Sequence, residues 1–197
     1  MQLGYILQHI HNNPPDIKLA KSGGKNIAES KDHNEIISDE VIDIVYAISV
    51  QCPYLKRKEV KRFARIIHSE SQKYGYDWEL IMAIMKAESA FDVKAVSRKG
   101  AMGLMQVMPK TAEWLATEMD VKYDGNRSLY NPEYNIKLGV HYFDMMQKRF
   151  GDVEKAVTAY RIGPNRLKQN LDQGIDPGSA YLQEVMSYYA ELKETDS

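Results

Sequence analysis

Apolar residues recur at helical spacing along most of the chain that follows residue 40. Val41, Ile44, Val45 and Ile48 fit the i, i+3, i+4, i+7 pattern and end before Pro53, which predicts a first helix. The same period predicts further helices over Leu55 to about Tyr74, from Asp77, from Pro109, from Pro132, over Val153–Tyr160, over Leu167–Leu171 and from about Ala180 to Lys193. The sequence has no alternating run typical of a strand. The pattern therefore predicts an all-α, multi-helix domain with short connections.

Glycine and proline mark the ends of several predicted helices. Gly75 stops the second helix, Asp77 is a favourable N-cap for the third, and Pro109 and Pro132 each suit a first helical position. Gly139 lies inside the helix that Pro132 opens, where glycine costs about 1 kcal/mol relative to alanine. We therefore expect another backbone to approach that helix closely at Gly139.

The beginning of the chain differs in composition from the rest. Residues 12–35 are polar and contain a proline pair and a glycine pair, which favours a segment with little core of its own. We interpret residues 1–37 as a flexible or extended leader, 38–75 as N-terminal helices and 76–194 as the main domain. The role of residues 1–75 is left open.

Composition and charge exclude several classes of protein. Of the 197 residues, 44% are hydrophobic and 27% are charged, a balance typical of soluble domains. The net charge of −1 gives no general attraction to nucleic acid or to anionic membranes. No run approaches the roughly 18 apolar residues of an integral membrane segment. No secretion signal is recognisable, so either the protein stays inside the cell or a signal lies beyond this sequence.

Two further features are interpreted as structural. The single cysteine, Cys52, follows an apolar run and is expected to be a small buried residue. A basic cluster is expected to be the solvated side of a helix, with a phosphate-binding face as the alternative. It consists of Lys56, Arg57, Lys58, Lys61, Arg62 and Arg65, opposite Phe63, Ile66 and Ile67. The five histidines show no metal-ligand spacing, and we predict neither a metal nor a cofactor.

One acid stands on an apolar helix face. Trp78, Ile81, Met82, Met85 and Glu88 are spaced so that all five lie on one side of a helix. Because burying an unpaired carboxylate is costly, desolvation is expected to raise the pKa of Glu88. A carboxyl that keeps its proton near neutral pH is suited to act as a general acid. The alternatives are a half-exposed glutamate, or a structural acid paired with lysine or arginine.

Three segments after this helix form a specific combination. Residues 88–92 read Glu-Ser-Ala-Phe-Asp, and a glycine-rich block over residues 100–109 contains Gly-Leu-Met-Gln. Asn-Pro at 131–132 is followed by Asn-Ile-Lys-Leu-Gly at 135–139. Ala-Tyr at 159–160 is followed by Gly-Pro at 163–164. Over roughly residues 76–190 the chain thus resembles the soluble lytic transglycosylase family, whose lysozyme-like α-domain is shared with goose-type lysozyme. The resemblance implies a lysozyme-like catalytic domain with a substrate groove over residues 76–194.

The resemblance also implies a reaction. The family cleaves the β-1,4 bond between N-acetylmuramic acid and N-acetylglucosamine in peptidoglycan glycan strands and forms 1,6-anhydromuramic acid. Glu88 matches its single catalytic acid, which protonates the leaving glycosidic oxygen. The same carboxylate then takes a proton from the 6-hydroxyl of the sugar. Substrate-assisted enzymes need one carboxylate instead of two, because substrate groups replace the second. Asp92, the nearest acid in the sequence, is expected to cap or turn the chain.

Four further residues match positions that line the family's groove. The resemblance implies that substrate is contacted by Ser97, Gln106 and Met108. It also implies that the hydroxyl of Tyr160 points at the acid. Ser97 alternatively caps a turn, Met108 belongs to the core, and Tyr160 is a core tyrosine bonded to a carbonyl. The amide of Gln106 offers both a donor and an acceptor. Gly100 and Gly103 are expected to adopt positive φ and to let the backbone approach a sugar.

The chain departs from the family pattern at two places. Arg161 stands where the family usually has asparagine, and a second groove glutamate is missing near Asp176. Arg161 could instead reach a carboxylate of the peptide stem. The rival functions are a goose-type hydrolase with the same fold, and a helical peptidoglycan-binding module without turnover. The substrate implies a location in the periplasm or cell envelope.

Overall fold

The computed structural model describes residues 38–177 and 180–195 of the chain, which consist of α-helices, one 3₁₀ helix and the loops between them. The α-helices are α1 (Asp39–Gln51), α2 (Arg57–Tyr74), α3 (Trp78–Ser89), α4 (Pro109–Glu118), α5 (Pro132–Phe150), α6 (Val153–Ile162), α7 (Pro164–Asp172) and α8 (Ala180–Thr195). The 3₁₀ helix spans Asn126–Tyr130. Over these residues the all-α prediction is confirmed. The predicted leader lies outside the described residues.

The capping residues explain where several helices begin and end. Gly75 ends α2 in the left-handed region at φ 70°, as the sequence predicts. The Asn131 side chain accepts a hydrogen bond from the backbone of Glu133, and Pro132 follows at the first helical position of α5. Asp77 precedes α3 as predicted, but its carboxylate does not cap the helix. It instead accepts a hydrogen bond from Tyr189 in α8.

Helix α3 lies at the centre of the core. Every residue from Trp78 to Met85 is buried, because α3 packs against both α8 and α2. Helix α5 packs in turn against α6 and α2, and its apolar face includes the fully buried Ile136, Val140 and Phe143. The predicted apolar face of α3 is therefore confirmed, although the opposite side of the helix is buried as well.

A buried asparagine fastens the loop between α3 and α4, residues 90–108, to the rest of the domain. Asn135 in α5 is fully buried, and its Oδ1 accepts a hydrogen bond of 2.7 Å from the backbone nitrogen of Met105. Its Nδ2 donates to the carbonyls of Met102, at 2.9 Å, and Leu129, at 3.0 Å. One side chain thus satisfies three buried backbone groups from two separate segments.

Two other helices hold the same loop. Ser89 at the end of α3 donates from its hydroxyl to the Leu104 carbonyl at 2.8 Å. Tyr160 in α6 donates to the Met105 carbonyl at 2.7 Å. The loop has no strand, but isolated β-bridges join Met102 to Val96 and to Val107. The loop conformation is therefore fixed by α3, α5 and α6 together.

Two glycines in this region are needed for close packing within the protein. A Cβ on Gly139 would lie 2.5 Å from the Cβ and Sδ atoms of Met105, so the expectation of an approaching backbone was wrong, because a side chain fills this space. Gly103 has φ of 76°, and a Cβ there would lie 2.3 Å from the Leu129 carbonyl oxygen. Gly103 therefore faces the protein interior and not a sugar. Gly100 also has positive φ, as predicted, and has open space beside it.

The remaining structural predictions concern Cys52 and the basic cluster. Cys52 is fully buried, as predicted. Phe63, Ile66 and Ile67 are buried on the inner side of α2, and the basic residues lie on its outer side, which confirms the solvated-face interpretation. Among the described helices, none combines the length and apolar character needed to cross a membrane.

We predict that Asn135→Ala lowers the free energy of unfolding by about 3 kcal/mol, because the Met105 nitrogen and the Leu129 carbonyl lose their hydrogen bonds to Asn135 and the Met102 carbonyl keeps only its bond from Val107. Urea denaturation of the two proteins measures this difference. Asn126→Ala is the matched control, since Asn126 is exposed and its loss is expected to change stability by less than about 0.5 kcal/mol. Equal effects of the two substitutions would contradict the role given to Asn135.

Candidate active-site groove

Glu88 occupies the last turn of α3, one residue before the helix ends at Ser89. Ala90 follows in the left-handed region at φ 48°, so the chain turns away directly after the acid. The side chain of Glu88 is only 4% exposed, yet its carboxyl lines a cavity of about 690 Å³. A largely desolvated acid therefore opens into a space large enough for a ligand.

The cavity brings together residues from five parts of the chain, of which α3 contributes Glu88. The α3–α4 loop, α4, the middle of α5 and the junction of α6 with α7 contribute the rest of its lining. The lining residues are Ser97, Arg98, Lys99, Ala101, Gln106, Val107, Met108, Thr111, Tyr142, Tyr160, Arg161, Ile162, Gly163 and Arg166. All four residues predicted to bind substrate, Ser97, Gln106, Met108 and Tyr160, lie in this lining together with Glu88.

Two of these four also hold the loop in shape. The hydroxyl of Ser97 accepts a hydrogen bond of 3.0 Å from the backbone nitrogen of Ala101, the turn cap that was the alternative interpretation. Gln106 has φ of 48°, and its Nε2 donates to the carbonyls of Ala95 and Gly103. The Oε1 of Gln106 accepts no hydrogen bond within the described part of the chain. That acceptor is the part of the amide left for a ligand.

Met108 and Tyr160 differ in exposure. Met108 is 39% exposed at the N-cap of α4, so it belongs to the groove wall and not to the core. The Tyr160 hydroxyl donates its proton to Met105, as a core tyrosine would, and not to Glu88. Tyr160 nevertheless lies close enough to Glu88 for the carboxylate to contribute to raising the pKa of its hydroxyl, after burial. Its oxygen retains the capacity to accept a hydrogen bond.

Opposing effects set the proton affinity of Glu88. Burial is the largest effect and raises the pKa of the carboxyl above its usual value of 4.5, and repulsion from Glu184 adds to it. The Tyr181 hydroxyl and the guanidinium of Arg161 act in the opposite direction. Tyr181 has no partner of normal hydrogen-bonding geometry among the described residues, so its contact with Glu88 is looser than a normal hydrogen bond. The net direction is upward.

Arg161 forms an ion pair with the acid. Its Nη1 lies 3.1 Å from Oε2 of Glu88, and the arginine side chain is 51% exposed. Its guanidinium carbon also lies 5.1 Å from the ring centroid of Tyr181 in α8. The sequence identified Arg161 as a departure that could reach a stem carboxylate, but it did not predict the ion pair with Glu88 and did not single out Tyr181. The pair of a tyrosine and an apolar residue at 181–182 was visible in the sequence. The sequence did not show that Tyr181 lies close to Glu88.

No second carboxylate lines the cavity in the part of the chain that the structure describes. Asp92 accepts a hydrogen bond of 2.8 Å from the backbone nitrogen of Lys94, so it turns the chain as predicted. Asp176 is exposed and does not belong to the lining. The residues that the structure describes contain no group of three or more histidine, cysteine, aspartate or glutamate side chains placed to hold a metal.

The groove continues beyond the cavity that contains Glu88. Thr111 and Tyr142 line both this cavity and a second, more apolar depression of about 670 Å³. Trp114, which is 44% exposed, and Met145 form part of that second depression. The open surface beside the acid is therefore longer than the cavity alone.

An all-α domain with one buried acid at the base of an extended groove defines a lysozyme-like architecture. Residues 65–182 match the family model described as the transglycosylase SLT domain, so the chain belongs to that family. The lytic transglycosylase Slt from Pseudomonas aeruginosa, solved as an inactive mutant with a glutamate replaced by glutamine, superposes with a TM-score of 0.63. It is 28% identical, and the match covers 75% of this chain and 25% of that one.

Other relatives agree with this assignment. The 70 kDa soluble lytic transglycosylase from Escherichia coli is 25% identical with a TM-score of 0.63, covering 78% of this chain and 28% of that one. The membrane-bound lytic murein transglycosylase C of Serratia proteamaculans is 30% identical, over 71% of this chain and 45% of the relative. The corresponding protein of Photorhabdus laumondii is 37% identical, over 62% of this chain and 37% of the relative. The chain spans less than half the length of these curated relatives. The predicted lysozyme-like fold and family are confirmed.

The raised pKa of Glu88 predicts a pH-dependent effect of Glu88→Gln on stability. A carboxyl with a higher pKa when folded binds more protons in the folded state, so wild type loses stability as pH rises from the unfolded to the folded pKa. The wild type should therefore become less stable relative to Glu88→Gln as pH rises through that interval. Thermal unfolding from about pH 3 to about pH 8 measures the trend.

Glu133→Gln is the control with the opposite sign. A hydrogen bond from Lys137 is the largest of the effects that lower the pKa of Glu133. The stability that this interaction contributes is present above the unfolded pKa and is lost as pH falls through the folded one. If the two variants showed trends of the same sign, the assignment of a raised pKa to Glu88 would be incorrect.

Proposed function

We propose that this chain is a peptidoglycan lytic transglycosylase that cleaves the β-1,4 bond between N-acetylmuramic acid and N-acetylglucosamine, with Glu88 as the single acid and base. The observation that carries the proposal is the buried carboxyl of Glu88 at the wall of a cavity of about 690 Å³. Burial raises its pKa, which favours the protonated form that a general acid needs.

The first step needs a proton at the glycosidic oxygen. Protonated Glu88 donates it as the bond to the muramic acid breaks, and the departing sugar leaves with a free hydroxyl. The 2-acetamido group of the substrate supports the positive charge that develops at the sugar carbon. The carboxylate of Glu88 then accepts the proton of the 6-hydroxyl, whose oxygen closes the 1,6-anhydro ring. Glu88 ends this sequence protonated, as it began.

The lining of the cavity supports a mechanism with one protein carboxylate. Most glycosidases place two carboxyl groups on either side of the scissile bond. Within the described residues, Glu88 is the sole acid among the lining side chains. The chain thus lacks, in that region, the carboxylate that would activate water, which favours attack by the sugar's own hydroxyl over hydrolysis.

The relatives support the same conclusion. Each of those described above is named as a lytic transglycosylase, and the Pseudomonas aeruginosa enzyme was inactivated by replacing a glutamate with glutamine. Ser97, Gln106, Met108 and Tyr160 are the side chains we propose to contact the glycan, because they share the cavity with Glu88. In this role the free Oε1 of Gln106 accepts a hydrogen bond from an acetamido or hydroxyl group.

We also infer that the protein works in the bacterial cell envelope, since glycan strands lie outside the cytoplasmic membrane. The curated relatives are named as membrane-bound murein enzymes, which supports this location. Fractionation of producing cells measures it directly. Recovery of the full-length protein from the cytoplasm alone would contradict the inference.

We predict that Glu88→Gln lowers turnover of purified peptidoglycan by about 10³-fold, because glutamine keeps the shape of the side chain but has no proton to donate. Mass spectrometry of the soluble products measures both rate and chemistry. Wild type should release fragments that end in 1,6-anhydromuramic acid. The Glu133→Gln variant, at a half-exposed position outside the cavity, controls for loss of a carboxylate elsewhere and should digest peptidoglycan at the wild-type rate.

The same measurement distinguishes the rival functions. Products with reducing-end sugars would identify a hydrolase and overturn the transglycosylase proposal. If wild type and Glu88→Gln bound glycan strands equally and neither released product, the chain would be a binding module.

A further inference from the structure

Four cations line the cavity that contains Glu88. Arg98 and Lys99 come from the α3–α4 loop, Arg161 from α6 and Arg166 from α7, and Glu88 is the one carboxylate in the described lining. The whole chain carries a net charge of −1, so this excess of positive charge is local. Over residues 38–177 and 180–195, no carboxylate lies within ion-pairing distance of Arg98, Lys99 or Arg166. The groove is therefore electrostatically prepared for an anionic ligand.

Arg161 occupies the boundary between the buried acid and the open groove. Glu88 is 4% exposed and Arg161 is 51% exposed, so the ion pair of 3.1 Å joins an inner carboxylate to an outer cation. A guanidinium has five N–H donors in a planar fork, of which one is used in this contact. Such a group binds a second carboxylate well, and often through two parallel hydrogen bonds.

The ion pair opposes the chemistry proposed for Glu88. A cation beside the carboxyl favours its ionised form, whereas the first step of cleavage needs the proton on Glu88. A ligand that draws the guanidinium away from Glu88 would therefore raise the fraction of the competent, protonated acid. A carboxylate on the substrate would do this by competing for the same N–H donors.

We propose that the cation cluster of Arg98, Lys99, Arg161 and Arg166 recognises the carboxylates of the peptide stems on the glycan strand, and that Arg161 exchanges Glu88 for a stem carboxylate when substrate binds. This inference rests on the proposed function. The sugar rings are neutral when the stem is amide-linked to muramic acid, so the free carboxylates of the stem are the anions that accompany the scissile bond. Arg161 is thus a positioning and specificity residue, and Glu88 remains the acid.

The charged and titratable groups that face Glu88 come from several elements, and each belongs in the pH dependence. Tyr160 and Arg161 on α6 and Tyr181 and Glu184 on α8 interact with Glu88, and Tyr142 on α5 and Arg98 and Lys99 in the α3–α4 loop line the same cavity. Arg161 is the one of these whose ion pair joins it directly to the acid. Replacing Arg161 should therefore raise the pKa of Glu88, while the other groups around the acid remain unchanged.

The test compares strands whose stem carboxylates are free with the same strands after carbodiimide coupling to methylamine. Wild type should show a kcat/KM about tenfold higher on the free-carboxylate strands. Arg161→Asn should reduce this preference to about threefold or less. The same variant should shift the loss of kcat/KM at rising pH to higher pH, because the free enzyme has lost the cation that favours ionised Glu88. Arg161→Lys should keep most of the preference.

Arg127→Asn is the matched control, because Arg127 is an exposed cation of the 3₁₀ helix outside the cavity. It should leave both the preference and the pH profile unchanged. Equal kcat/KM on the two kinds of strand, or a preference and pH profile that survive Arg161→Asn, would overturn the inference. Calorimetry tests the same preference without turnover. It compares the binding of soluble muropeptides with free or methylamidated stems to wild type and to Arg161→Asn. Absence of anhydro products would then count against the proposed function alone.

Discussion

The hydrogen bonds of Asn135 are the constraint on which the rest of the groove depends. The loop between α3 and α4 carries Ser97, Gln106 and Met108 without a sheet to hold it, so its backbone groups need partners from elsewhere. Asn135 supplies two of these partners from within α5, at Met105 and Met102, and also bonds the Leu129 carbonyl of the 3₁₀ helix. Because Asn135 is fully buried, water cannot replace it, and a loop displaced from Asn135 would lose its hydrogen bond to the buried Met105 nitrogen.

Burial and an ion pair alone do not identify the functional acid. Glu70, Glu79, Asp144 and Glu88 all have nearly buried carboxyl side chains within 4 Å of a lysine or arginine nitrogen, their partners being Lys73, Lys193, Lys148 and Arg161. Of these acids, Glu88 is the one that lines the cavity of about 690 Å³. The others join helices or adjacent turns. An open space beside a buried acid is needed for catalysis but does not identify the acid alone, because Glu70 also borders a depression of about 500 Å³.

Local signals in the sequence predicted the helices and part of the groove. Gly75, Asn131 and Pro132 act through their own backbone neighbours, so the helix ends they mark could be located without tertiary information. Gly139 shows where this reasoning ends. A glycine inside a helix indicates that space is short, but the sequence does not reveal that the side chain of Met105 fills it. Likewise, Arg161 lies 73 residues from Glu88, and only the packing of α6 against the acid brings them together.

The arginine beside Glu88 changes how the acid must be controlled. An amide at position 161 could only donate or accept a hydrogen bond, whereas a guanidinium adds a permanent positive charge. The structure sets this charge against burial, which is the larger effect and keeps the pKa of Glu88 above its usual value. Because Arg161 is half exposed, its charge is shared with the groove and with whatever occupies it. In the proposed function, the proton on Glu88 is therefore coupled to the charge of the ligand, which an uncharged residue at this position would not achieve.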